Sequence, residues 1–191
     1  MSPSRHSRHG NRARALVVAI VFALLAVTLY WPGWYDNYHA VIPGELYRSA
    51  QMSVSRLREH IARDGLRTVI NLRPETNELW HAQEQQACQT AGADYIDSPL
   101  AGDQAPSSQQ AADLVTILRE ARRPMLIHCE HGADRTGYVV ALYLSEVAGL
   151  PERQADAALS IRYGHLAFTR VGCFDDAFAQ FCRHRYSPAS P

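Results

Sequence analysis

The sequence predicts an α/β domain, a central and mainly parallel sheet flanked by helices, preceded by one transmembrane helix. Three observations carry this. Short apolar runs rich in branched residues alternate with longer stretches of helical period. One of those runs, Met125 to His128, ends in a cysteine and a glycine-bearing loop that opens onto another helical stretch. Residues 15–35 contain no ionisable group except tyrosines.

The chain begins with a basic segment, residues 1–14, which carries Arg5, Arg8, Arg12 and Arg14. The apolar run of 15–35 follows, and about 20 apolar residues suffice to cross the hydrocarbon layer as a helix. Its last part holds Tyr30, Trp31, Trp34 and Tyr35, residue types that favour the membrane interface. A cleaved signal shares the basic start but ends in small residues around its cleavage site, whereas this run ends in Leu-Tyr-Trp-Pro-Gly-Trp. A retained anchor is therefore expected. Arginines before the span place the N-terminus in the cytoplasm and the domain of residues 36–186 across the membrane, in the periplasm if the source is bacterial. Residues 187–191 read as a disordered tail.

Within the domain the expected strands are Leu46 to Ser49, Thr68 to Leu72, Asp94 to Ile96 and Met125 to His128. Expected helices are Ser53 to Arg63, with Val54, Leu57 and Ile61 on one face, then Glu78 to Thr90 and Ser108 to Ala121. Three more follow: Thr136 to Ala148, Glu152 to Arg162 and Cys173 to Arg183. Gly149 and Pro151 mark a stop and restart between two of them.

The stretch Met125 to Gly137 reads MLIHCEHGADRTG and carries the chemistry. Open α/β sheets bind ligands beyond the carboxyl ends of their strands, and a helix N-terminus offers unpaired N–H groups to an anion. Cys129 sits where the two effects coincide. The loop Glu130, His131, Gly132, Ala133 and Asp134 is long enough to turn its amides inward while Arg135 closes over phosphate oxygens. The same amides favour a thiolate nucleophile.

HCEHGADRTG resembles the His-Cys-x5-Arg-Ser/Thr signature of the protein tyrosine phosphatase superfamily, nearer its compact, atypical dual-specificity branch of bacterial type. The similarity covers Val41 to about Tyr186, including VIPGELYRSAQ, and leaves the N-terminal run outside. It implies that Cys129 attacks phosphorus to form a phosphocysteine, that Arg135 holds the phosphoryl oxygens, and that Thr136 assists departure of the thiolate. His128 supports the loop from behind. No cofactor and no metal is implied.

A leaving alkoxide or phenoxide needs a proton, and two aspartates compete to supply it. Asp103 stands in LAGDQAPSS, where compact phosphatases place their acid on a movable loop, and is preferred. Asp134 stands inside the phosphate loop, and its bland alternative is a carboxylate bonded to nearby amides. Asp97 reads as a turn residue. Arg48 and Arg73 follow or end apolar strands, so either reaches the same sheet edge or pairs on the surface with a carboxylate; the surface pairing is preferred. His165, in IRYGHLAF, either lines the pocket or is structural or solvated, and the latter is preferred.

The expected substrate is a phosphorylated protein (Tyr, Ser or Thr) or a membrane-associated phospholipid. Glu130 and Asp134 make the loop acidic, which argues against highly phosphorylated inositides. Lys+Arg and Asp+Glu both total 19, so no basic field marks a nucleic-acid partner. Cys88, Cys173 and Cys182 are too far apart for a zinc site, and one or more of them is a candidate bridge to Cys129 or to another. The rival readings are an inactive phosphate-binding module, a rhodanese-like sulfurtransferase, and a metal-dependent hydrolase. The nine scattered histidines give the last no helix-face ligand pair.

Overall fold

The computed structural model describes residues 14, 16–26, 36–74, 78–168 and 170–186. Its sheet has five strands in the order β1-β2-β5-β3-β4. They are β1 (His39–Ile42), β2 (Leu46–Ser49), β3 (Thr68–Asn71), β4 (Asp94–Asp97) and β5 (Met125–His128). All pairs are parallel except β1 with β2, so the sheet is mixed. The antiparallel β1 is an added edge, joined to β2 by a tight turn through Pro43 and Gly44; its strand start at His39 precedes the expected opening near Val41.

The helices are α1 (Val54–Asp64), α2 (Leu79–Thr90), α3 (Ser108–Glu120), α4 (Asp134–Glu146), a single turn α5 (Glu152–Ala155) and α6 (Cys173–Tyr186). The expected helix of Glu152 to Arg162 is instead that one turn followed by 3-10 turns at Asp156–Ala158 and Ile161–Tyr163. The chain tightens where Ala158 and Leu159 pack against Gly137. The ends of α1 and α3 obey their local chemistry. Ser53 accepts the Arg56 amide, Gly65 takes the left-handed conformation at φ 65, and Ser107 with Gln110 forms a capping box.

Strand alternation sends side chains to two separate cores. Tyr47, Val69 and Leu126 pack with Leu57, Ile61, Ala87 and Cys88 beneath α1 and α2. Leu46, Ile70, Met125 and Ile127 pack with α3, α4 and α6 on the other face. α4 lies in the middle of that layer, and every residue from Arg135 to Ser145 is buried. This explains why it has no polar face. Gly137 permits the close packing, because a Cβ there would lie 2.9 Å from both the Ala158 carbonyl oxygen and Leu159 Cδ2.

In register, Ser49, His128, Asn71 and Asp97 end their strands side by side. The loop from Cys129 to Ala133 leaves the sheet at that edge and enters α4.

The N-terminal expectation requires correction. Among the described residues no helix is long and apolar enough to cross a membrane. The single-pass membrane protein, its cytoplasmic N-terminus and its periplasmic domain are not supported. Residues 1–13, 15 and 27–35, and the tail 187–191, lie outside the described residues.

Candidate active site

The loop after β5 is held by its carbonyls. The Glu130 carbonyl accepts the Gln51 amide at 3.1 Å, and the His131 carbonyl accepts Asn37 Nδ2 at 3.0 Å. Arg48 Nη2 donates to the Gly132 carbonyl at 2.8 Å and to the Ala133 carbonyl at 3.2 Å. Four successive carbonyls are thus drawn towards Arg48 in β2, Gln51 just after it and Asn37 before β1, which leaves the amides free to turn the other way. The Gly132 amide does so, donating to Cys129 Sγ at 3.3 Å. An arrangement of this kind forms a nest for an anion at a helix N-terminus.

Gly132 is demanded twice over. Its φ of 69 is in the left-handed region, and a Cβ would fall 2.5 Å from the Ala50 nitrogen and the Ser49 carbonyl carbon. The loop is therefore pressed directly onto the end of β2.

Cys129 is 2 % exposed and Arg135 8 %. Arg135 Nη1 reaches the Leu100 carbonyl at 3.5 Å, and Nη2 lies 3.8 Å from Glu130 Oε2. A Cβ on Gly102 would sit 4.0 Å from Arg135 Cζ, so the segment Leu100 to Gly102 passes beside the guanidinium. Asp103, next in that segment, is exposed. The Cys173 thiol is pushed up by burial first, then by the charges of Asp103, Asp134 and Asp176, which puts Asp103 and Asp134 within electrostatic reach of one group. Thr136 is fully buried, and its hydroxyl has no hydrogen-bond partner among the described residues. His131 and Glu130 are exposed on the rim.

His128, buried at the end of β5, has Nε2 3.4 Å from Glu84 Oε2 and Nδ1 3.4 Å from the Cys129 carbonyl. Burial opposes the charge on Glu84. The His128 ring, the Tyr95 hydroxyl at 2.9 Å and the Gln51 amide at 3.2 Å nevertheless hold its carboxyl below the usual range.

Arg48 is not the surface ion pair that was preferred for it; it reaches the loop. It is 0 % exposed, has no carboxylate partner among the described residues, and bonds the Ala158 carbonyl at 2.8 Å besides the two loop carbonyls. Its Cζ stands 3.8 Å above the Tyr163 ring. Burial draws its pKa down to about 10, with Tyr163, Cys129 and Asp134 pulling the other way, so it stays charged at neutral pH. Arg73 stacks over Trp80 at 4.2 Å. Asp97 is fixed by Asn71 Nδ2 at 2.9 Å and by His81.

Two contributors were not legible as site residues. Asn37, 2 % exposed and left-handed at φ 45, links the His131 carbonyl to the Tyr163 carbonyl. His165 is buried between Asp134 Oδ1 at 2.6 Å and Asp175 Oδ2 at 2.7 Å. Their partners are distant in sequence, so no local pattern announces them. Among the described residues no cysteine is in a disulfide. Burial, then the charge of Glu84, pushes the Cys88 thiol up to about 12, as expected of an inert core cysteine. Among the described residues no cluster of His, Cys, Asp or Glu could hold a metal ion.

Comparison with known proteins agrees with this geometry. A family model described as DSP-PTPase phosphatase fused to NAD+ kinase matches residues 37–174. No curated protein matches the chain. Among solved structures, TpbA of P. aeruginosa in complex with pTyr is similar at 21 % identity and TM-score 0.55, covering 78 % of this chain and 91 % of its own. The core catalytic domain of the PP-IP phosphatase SIW14 from S. cerevisiae is similar at 19 % identity and TM-score 0.59, with 80 % and 95 % covered. PTPMT1 in complex with PI(5)P gives 16 % identity and TM-score 0.60, with 78 % and 99 % covered. At these identities the structures speak for the shared fold.

Proposed function

Because the chain belongs to this family of dual-specificity-type phosphatases, we propose that it hydrolyses phosphate monoesters through a phosphocysteine on Cys129. The observation that carries the reading is the Gly132 amide aimed at Cys129 Sγ within a loop whose carbonyls all point away. In the reaction, Sγ attacks phosphorus while the ester oxygen leaves with a proton, and water then cleaves the S–P bond to release phosphate. Arg135, standing beside the loop, holds two phosphoryl oxygens. The unpartnered Thr136 hydroxyl is suited to the departing sulfur.

Asp103 supplies the proton in this reading. It is exposed in the segment that passes Arg135, whereas one oxygen of Asp134 is already engaged by His165. Asp103→Asn should slow alkyl phosphates roughly a hundred-fold while leaving an activated aryl phosphate nearly unchanged. Equal loss on both would make Asp103 structural.

Singly phosphorylated esters, a phosphotyrosine peptide before a polyphosphorylated inositol, fit the charge. Glu130 stands on the rim 3.8 Å from Arg135, where it repels additional phosphates. The deciding experiment is phosphate release by the reduced full chain on phosphopeptides, phospholipids and inositol phosphates, beside Cys129→Ser. Turnover should fall by about 10³-fold or more in the variant while phosphate binding persists. Undiminished release by Cys129→Ser would overturn the mechanism, and binding without turnover in the natural chain would favour an inactive phosphate-binding module.

A further inference from the structure

His165 is buried, with a side chain 1 % exposed, and both ring nitrogens face carboxylate oxygens at hydrogen-bonding distance. A neutral imidazole has a single N–H, so one of these contacts would set a lone pair against a carboxylate. With both carboxylates ionised, two such contacts, at 2.6 and 2.7 Å, call for a proton on each nitrogen. Burial alone would pull this imidazole down, but the bonds from Asp134 and Asp175 outweigh it and hold the group above its ordinary value.

The two carboxylates belong to different elements. Asp134 is the first residue of α4, next to Arg135, and Asp175 lies in the first turn of α6. Asp156, raised by burial and by the charges of Asp175 and Glu152, faces the same cluster from the 3-10 turn after α5. The Cys173 thiol and Asp176 stand at the start of α6, and Arg48 lies on the β2 side within electrostatic reach of Asp134. Acidic groups therefore outnumber cations around the first turn of α4, and the imidazolium supplies balancing charge there.

We propose that His165, as an imidazolium, is a positioning residue that fixes Asp134 and thereby the first turn of α4, so that an oxyanion can bind beside Arg135. The proposal rests on the reading of the loop as a phosphate site. With the proton present, Asp134 is bonded and its charge is offset. Once the proton is lost, one of the two bonds goes and the Asp134 carboxylate opposes an incoming dianion. Oxyanion affinity must then follow the His165 titration, and α6 takes part through Asp175.

Tungstate is the probe, because it remains a dianion across the neutral and alkaline range. The full chain carrying Cys129→Ser removes the thiol's own titration. Its tungstate affinity should fall on the order of five-fold or more as pH rises, with the midpoint at which the His165 ring resonances titrate by NMR. Asp175→Asn in the same background should keep the low-pH affinity and move both midpoints acidward by about one unit. Affinity that stays flat through the His165 titration, or midpoints that Asp175→Asn leaves in place, would overturn the proposal. Should Asp175→Asn fail to fold, the coincidence of the two midpoints in Cys129→Ser decides alone. Tungstate binding that follows His165 in a chain showing no cysteine-dependent phosphate release would sink the hydrolase reading and keep the clamp.

Discussion

Two buried histidines stand on opposite flanks of the loop after β5, and their partners differ in kind. His165 lies between two carboxylates at 2.6 and 2.7 Å. His128 faces one carboxylate, Glu84, at 3.4 Å, and Glu84 is also satisfied by the neutral donors Tyr95 and Gln51. On the α6 flank a cation compensates surplus negative charge beside the loop. On the α1 and α2 flank a buried carboxylate is compensated behind the strand end. The comparison teaches that one side of the loop is held by a group that must keep a proton, the other by a group that must lose one.

The comparison presumes that the loop lies on β2, where Arg48 can grip its carbonyls, and Gly132 is where that presumption breaks. Gly132→Ala would combine a left-handed backbone with a methyl 2.5 Å from backbone atoms of Ser49 and Ala50. A cost of about 3 kcal/mol is expected, read as a lowered denaturation midpoint. The displaced loop should also lose roughly a hundred-fold in kcat/KM. Wild-type stability in this variant would show that the loop is not held against β2, and both flanks would then need another account.

Where a local rule governs, the sequence was legible. β2 and β5 have their expected bounds, Leu46–Ser49 and Met125–His128; for β5 the apolar run Met125 to Ile127, buried on both faces of the sheet, has few alternatives. The loop was legible because its task fixes residue types at set spacing: a cysteine at the strand end, a glycine three residues on, and an arginine in the first helical turn. What lay hidden depends on distance in sequence. Arg48 meets Gly132, Ala133 and Ala158 across more than eighty residues, and His165 meets Asp134 across 31. The break after Ala155 was missed because Ala155, Ala158 and Leu159 keep a helical spacing even though the chain tightens into 3-10 turns under Gly137. The N-terminal run was read as a membrane span over residues 15–35 by composition, yet among the described residues no helix is long and apolar enough to cross a membrane.

The smallest effect gives the finest test of the two flanks, because it separates them by sign. Glu84 is held below its ordinary 4.5, so its contribution to stability is present above that value and is lost as pH falls through the depressed one. His165 is held above its ordinary 6.5, so its contribution is complete below that value and is lost as pH rises through the raised one. Glu84→Gln and His165→Gln should each cost about 1 kcal/mol or somewhat more at neutral pH, measured by urea denaturation of the full chain. The deficit of Glu84→Gln should shrink towards acid pH and that of His165→Gln towards alkaline pH. Deficits that stay constant across the range would mean that neither flank is charge-linked and that both histidines act only through packing. A His165→Gln deficit that shrinks on the acid side instead would reverse the sign, and with it the claim that the α6 flank is held by a proton.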